Sequence, residues 1–267
     1  MRNEQLKKLC VTPLWFVLFL CLFSACRNGH DVIVAGSTSV QPYAEVLAEE
    51  YMGRNPKNAI DIQGGGSSAG ITAAQSGTAD IGMSSRALVD AERNLWSIEI
   101  AKDGLAIIVN PQNPVKNLTL AQVRSIYTTD IQKWSELGGT SAKIHVISRE
   151  EGSGTRSAFE ELIMGDSRIT PKAIIQDSNG AVRMLVGEDP DSIGFLSLGL
   201  VDQTVKALDL EGIAATKENI INGSYRLLRS FLFVSKNKPG DIAMDYVNFV
   251  LSGEGQRILS DEGLIPE

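Results

Sequence analysis

Val32-Ile33-Val34-Ala35-Gly36-Ser37-Thr38-Ser39-Val40-Gln41-Pro42 reads as a strand, a short polar loop and the first turn of a helix. Val32 to Ala35 is wholly apolar, the pattern of a strand covered on both faces. Pro42 presets φ for the first helical turn, after which Tyr43, Val46, Leu47 and Tyr51 share one stripe. The same unit returns twice. Ile60 and Ile62 lead into Gly64-Gly65-Gly66-Ser67-Ser68-Ala69-Gly70 and a helix through Gln75. Ile144, Val146 and Ile147 lead through Ser148 into Arg149-Glu150-Glu151-Gly152-Ser153-Gly154-Thr155 and a helix burying Phe159, Leu162 and Ile163. A helix N-terminus presents unpaired N–H donors and about half a positive charge. Glycine lets backbone approach a ligand, and Ser or Thr adds a hydroxyl without bulk. Three such loops, one carrying Arg149, point to a single small oxyanion held from several sides.

Around these units, strands and helices alternate. Ala79 to Gly82 reads as a third strand and Leu105 to Val109 as a fourth. Asn110-Pro111-Gln112-Asn113-Pro114 then breaks the pattern and marks a crossing to a second domain. Thr119-Leu120-Ala121-Gln122 is a capping box that opens a helix with Leu120, Val123 and Ile126 inward. Ile193 to Leu196 is a further strand, Phe231 to Val234 the return into the first domain, and Ile242, Tyr246 and Val250 mark a closing helix. The fold class is α/β, with mixed, mostly parallel sheets and helices on both faces. Residues 31–109 and 231–267 form domain I and residues 113–224 domain II, two lobes of a clamshell joined by two crossings. Ligands of open α/β sheets bind at the carboxyl ends of strands, so the loops of both lobes meet in the cleft between them.

The first residues read as a targeting segment. Arg2, Lys7 and Lys8 precede an apolar run from Val11 to Phe23, too short for a bilayer span of roughly 20 residues. Leu22-Phe23-Ser24-Ala25-Cys26 resembles a bacterial lipoprotein cleavage box, with residues 1–25 the leader and Cys26 the lipidated first residue. Cys10, Cys21 and Cys26 all lie at or before this exit, so the mature chain has no thiol for a disulfide or a zinc cage. Losing the leader removes three cations and one acid, which moves the formal charge from −7 to −9. A surface this acidic argues against nucleic acid and against docking on anionic lipid. It leaves room for an anionic ligand, because local dipoles and one Arg outweigh a screened global charge.

Catalytic motifs fail on inspection. Gly64-x-Gly66-x-x-Ala69 fits a loose dinucleotide pattern, but it follows the second strand and Asp80 comes too early for the ribose acid. Gly65 to Thr72 has P-loop spacing with Ile71 in place of the lysine that contacts phosphates. Only His30 and His145 remain as bases for a serine nucleophile. No His, Asp and Glu cluster has metal-ligand spacing. Binding is favoured over catalysis, and no cofactor is expected.

Gly36 to Pro42, Gly64 to Gly70, Ala79-Asp80-Ile81-Gly82-Met83-Ser84-Ser85-Arg86 and Arg149 to Thr155 together resemble the phosphate-binding proteins of bacterial phosphate ABC transporters. Asp103 to Asn110 and Tyr225 to Arg229 are similar to the same family. The resemblance implies a type II periplasmic-binding fold that hands phosphate to a membrane permease, in an exported, lipid-anchored monomer. By position, Thr38 and Ser39 would give backbone and hydroxyl bonds to phosphate, beside Ser37, and Ser67 would donate from the second loop, beside Ser68. Arg149 would supply the charged contact, with Ser153, Gly154 and Thr155 completing the cage and Glu151 at the place of an acid that pairs with the Arg. Ser85, followed by Arg86, stands where many members carry an Asp that accepts the proton of hydrogen phosphate. Two other readings follow from the same loops. One is a binder of another tetrahedral oxyanion such as sulfate, tungstate or molybdate, and the other an exported enzyme on phosphate esters.

The leader reading has a direct test. Replacing Cys26→Ser should abolish lipid attachment and leave the precursor uncleaved or released, as read by labelling with radioactive palmitate. Continued labelling of that variant would place the anchor elsewhere.

Overall fold

The computed structural model describes residues 31–267. The leader, Cys26 and His30 lie outside the described residues. In chain order the first half comprises β1 (Asp31–Gly36), α1 (Gln41–Arg54), β2 (Ala59–Gly64), α2 (Ser67–Ser76), β3 (Ile81–Ser84) and the long β4 (Trp96–Val109). Then come β5 (Asn117–Leu118), α3 (Leu120–Thr128), β6 (His145–Arg149), α4 (Gly154–Phe159), β7 (Ile174–Gln176), α5 (Asn179–Glu188) and β8 (Ser192–Ser197). The chain closes with β9 (Lys206–Ala207), β10 (Asp209–Leu210), α6 (Lys217–Ile221), β11 (Leu228–Ser235), α7 (Asp241–Leu251), α8 (Gly253–Asp261) and β12 (Ile265–Pro266).

Eight strands form one continuous path in the order β2-β1-β3-β11-β4-β8-β6-β7, β9 and β12 pair with β4 beside it, and β5 and β10 form a separate pair. On one side β1 pairs in parallel with β2 and β3, and on the other β6 pairs in parallel with β7 and β8. Antiparallel β4 and β11 join the two halves. β4 has 14 residues, roughly 45 Å at about 3.3 Å each, and its first part pairs with β11 while Leu105 to Val109 pair with β8.

Two large hydrophobic cores flank this junction. One gathers Val34, Leu47, Ile81, Phe233, Tyr246 and Leu259. The other gathers Val123, Tyr127, Trp134, Phe159, Ile193 and Phe195, in which Phe159 stacks on Phe195 with ring centroids 4.1 Å apart. Ala101 belongs to the first core, and Leu105, Ile107 and Val109 to the second. The chain therefore passes between cores inside β4, near Asp103-Gly104, whereas the sequence suggested Asn110 to Pro114. A strand that continues its pairing on a second neighbour needs no turn to change lobes. Among the described residues, no helix is long and apolar enough to cross a membrane.

Several expected details hold and one does not. The capping box of α3 forms, with Thr119 Oγ1 accepting from the Gln122 N–H and Gln122 Oε1 from the Thr119 N–H. In α1, Tyr43, Leu47 and Tyr51 are buried as expected, but Val46 is 39% exposed. Ala44 and Ala48 fill its place on the inner face, because small residues let α1 lie close to the sheet.

Gly70 brings α2 down onto the sheet. A Cβ there would stand 2.4 Å from the Ala35 carbonyl oxygen and 2.6 Å from Gly36 Cα. Gly36 itself has φ +140° and Gly82 faces the Gly70 carbonyl, so three glycines make one backbone-to-backbone contact. This contact holds the start of α2 beside the end of β1. Replacing Gly70→Ala should force α2 away at a cost of about 1–3 kcal/mol. The thermal midpoint should then fall by roughly 2–10 °C; an unchanged midpoint would mean the helix shifts freely.

Candidate functional site

Each expected loop begins where a strand ends. Ser37, Thr38 and Ser39 follow β1, Ser67 opens α2 after β2, Ser85 follows β3, and Ser153, Gly154 and Thr155 lead from β6 into α4. The first residues of α2 and α4 carry N–H groups without intrahelical acceptors. Ser37, Ser39, Ser67, Ser85, Arg149, Ser153 and Thr155 are all almost completely buried. Serines and a guanidinium are seldom buried to this degree unless something polar meets them.

The loops converge from both lobes. Ser39 Oγ lies 2.7 Å from Thr155 Oγ1, and Arg149 Nη2 donates to Thr38 Oγ1 at 3.2 Å. The Ser68 N–H donates to the Gly152 carbonyl at 3.1 Å. Ser37 Oγ donates to Ser85 Oγ at 2.9 Å, Ser67 Oγ accepts from the Ser85 N–H at 3.0 Å, and Ser67 Oγ lies 3.3 Å from Ser85 Oγ. A Cβ on Gly154 would meet Ser67 Oγ at 2.3 Å and Ser85 Oγ at 2.6 Å, so only glycine lets α4 close on the first lobe. Ser153 also caps α4, its Oγ accepting from the Arg156 N–H at 3.2 Å, which leaves its hydroxyl proton to donate.

Arg149 is 1% exposed. Glu150 holds it as a fork, with Nε to Oε2 and Nη2 to Oε1 both at 2.9 Å. The carbonyls of Gln176 and Asp177 accept further bonds from Nε and Nη2. Glu150, not Glu151, is therefore the acid that pairs with Arg149. Glu151 is exposed on the loop, because the turn into α4 carries it outward. Arg86 also departs from the expected supporting place, since Glu92 clamps it at 2.8 and 2.9 Å, with only a 3.4 Å contact to Ser68 Oγ. That fork holds the Glu92 carboxyl below the usual carboxylate range.

Two residues of the site escaped the sequence reading. Asn179, at the first turn of α5, is 1% exposed. With its amide oxygen turned inward it accepts from Arg149 Nη1 at 3.1 Å and Ser39 Oγ at 2.9 Å. Its signal was Ser178-Asn179-Gly180, another strand-to-helix junction, capped by Ser178 Oγ on the Ala181 N–H. Arg229 of β11 donates through Nη2 to Ser39 Oγ at 3.1 Å. Arg229 closes the family-like Tyr225 to Arg229 segment, but only the pairing of distant strands brings it to Ser39 and gives it a role.

A groove of about 480 Å³ also opens between the lobes, bordered by Arg86, Arg93, Glu161 and Arg229. Each of those arginines has a carboxylate partner and none of the three glycine loops contributes a donor to it, so it is a poorer anion site than the cage. Among the described residues, no group of three His, Cys, Asp or Glu is placed to hold a metal ion.

The chain is similar to known proteins over most of its length. A family model described as a PBP superfamily domain matches residues 25–254. The phosphate-binding protein PstS of Bacillus subtilis (strain 168) is 30% identical over 285 residues, covering 97% of this chain and 94% of that protein. A putative phosphate ABC transporter substrate-binding protein from Clostridium perfringens, solved with bound phosphate, is 42% identical with TM-score 0.86, covering 89% of this chain and 100% of that one. An ABC-type phosphate transport receptor from Vibrio cholerae is 38% identical with TM-score 0.74, covering 88% of this chain and 100% of that one. The chain belongs to the PstS-type phosphate-binding proteins of the PBP superfamily.

Proposed function

We propose that this protein binds inorganic phosphate outside the cytoplasm, between its two lobes, and delivers it to the permease of an ABC transporter. The observation that carries the reading is the convergence of donors from both lobes around Arg149: Thr38, Ser39, Ser67 and Ser85 from one side, and Ser153, Gly154 and Thr155 from the other. A buried dianion loses its hydration and needs charge-assisted hydrogen bonds in return. Neither lobe alone offers enough of them. Phosphate therefore stabilises the closed form, through contacts that only the closed form completes.

Several parts of the reading go beyond the family. The protein has no catalytic role, because a cage enclosing the whole anion excludes the organic tail of an ester. Cys26 anchors a monomeric protein to the membrane, facing the periplasm or cell exterior, and the acidic body stays in water. Calorimetric titration of phosphate-free protein should give strong binding of phosphate and arsenate, weaker binding of sulfate, tungstate and molybdate, and none of phosphate monoesters. Tight binding of a monoester would favour the enzyme reading.

Arg149→Ala removes the buried cation of an ion pair and leaves the half-buried Glu150 beside the anion. Such truncations cost about 2–5 kcal/mol. Phosphate affinity should fall roughly 30-fold or more. Wild-type affinity would remove Arg149 from the site.

Ser85 sets how well the site distinguishes hydrogen phosphate from a proton-free anion. A carboxylate only accepts, whereas a hydroxyl can turn and donate. Glu92 already holds Arg86, so a new carboxylate at this position keeps its charge. Ser85→Asp should therefore lower sulfate affinity more than phosphate affinity at one pH and salt. An unchanged ratio of the two dissociation constants would assign the discrimination to another acceptor.

A further inference from the structure

Arg229 is 6% exposed and Asp103 1% exposed, in the middle of the fold. They are register partners on antiparallel β11 and β4, at the place where both strands pass from one core to the other. Arg229 Nε and Nη2 donate to Asp103 Oδ2 at 2.9 and 2.8 Å, and Ser197 Oγ donates to Asp103 Oδ1 at 2.8 Å. The guanidinium also lies 5.3 Å from the Phe231 ring centroid, within cation–π range. Its position is thus fixed from three sides.

Two features do not fit a mere strut between strands. Nη2 reaches past Asp103 to Ser39 Oγ at 3.1 Å, in the first loop. Nη1 is buried with no protein partner. An unpaired N–H on a buried cation is costly, and such groups usually have a reason. Through Ser39 and Asn179 the guanidinium is linked by hydrogen bonds to Arg149, the other buried cation of these loops.

We propose that Arg229, positioned by Asp103, is a second cationic group of the anion site, orienting Ser39 and adding charge to the hold on phosphate. The inference rests on the phosphate reading above. Ser39 Oγ accepts from Nη2 and donates to the inward-turned Asn179 amide oxygen, so the Arg229 contact fixes the orientation of this hydroxyl. The charge acts through Ser39 and through space, so Arg229 is a positioning residue whose contribution grows with the charge of the ligand. Burial lowers the pKa of Arg229 and raises that of Asp103; the short pairing between them opposes both shifts.

The test is calorimetry with inorganic phosphate below and above its second ionisation. Arg229→Met alone would strand a buried carboxylate and threaten the fold, so the informative variant is Arg229→Met with Asp103→Leu, which removes the pair together. Arg229→Lys, keeping the charge without the fork, is the second. The double variant should lose about 10-fold to 100-fold in affinity for the dianion and less for the monoanion. Arg229→Lys should keep part of the preference for the dianion. Wild-type affinity and pH profile in both variants would overturn the proposal, as would an equal loss for both charge states, the mark of a strut alone. Wild-type protein that ignores phosphate would remove the phosphate reading itself, a result separate from any behaviour of the variants.

Discussion

Antiparallel pairing of β4 with β11 is the constraint on which everything else rests. Both strands belong to two cores at once, so the lobes are joined by hydrogen-bonded backbone rather than by free linkers. Two strands shared by both cores bring together hydroxyls that are more than a hundred residues apart in sequence, as with Ser39 and Thr155.

The charges near the cage come in pairs. Buried Arg149 is held by a half-buried Glu150, whereas Arg229 and Asp103 are both withdrawn from water. Burying lone cations would be far more costly than burying pairs that are also hydrogen-bonded. The consequence for binding is that no strong net charge pulls the anion in. In the proposed site, directed donors would do most of the holding, through hydroxyls and the open ends of α2 and α4. The same design reconciles an acidic protein with an anionic ligand, since screening erases the global charge over about 10 Å while buried donors act at contact.

Much of this was legible in the sequence, for local reasons. Strand, loop and helix recur with Gly, Ser and Thr at the turn, and those residues mark both the backbone geometry and the chemistry of the site. The serines of these loops and Arg149, which the structure brings into contact, are marked this way. Glu150 and Glu151 are adjacent in sequence, and only the course of the turn decides which faces Arg149. The change of lobe inside β4 leaves no break in the pattern, so the prolines after it drew the boundary too late. Arg229 and Asp103 stand at the ends of two family-like segments, but their role comes from register between strands 126 residues apart. Asn179 lay at a junction lacking the glycine-rich signature. Val46 looked like part of an apolar stripe, yet alanines took the inner face because α1 packs so closely.

The most direct measurement is the location of arsenate, a phosphate mimic with an anomalous signal, in crystals of the phosphate-free protein. The expected result is one strong peak between the lobes, within hydrogen-bond distance of Thr38, Ser39, Ser67, Arg149 and Thr155. A peak confined to one lobe, or lying in the groove beside Arg86 and Arg93, would contradict a cage assembled from both.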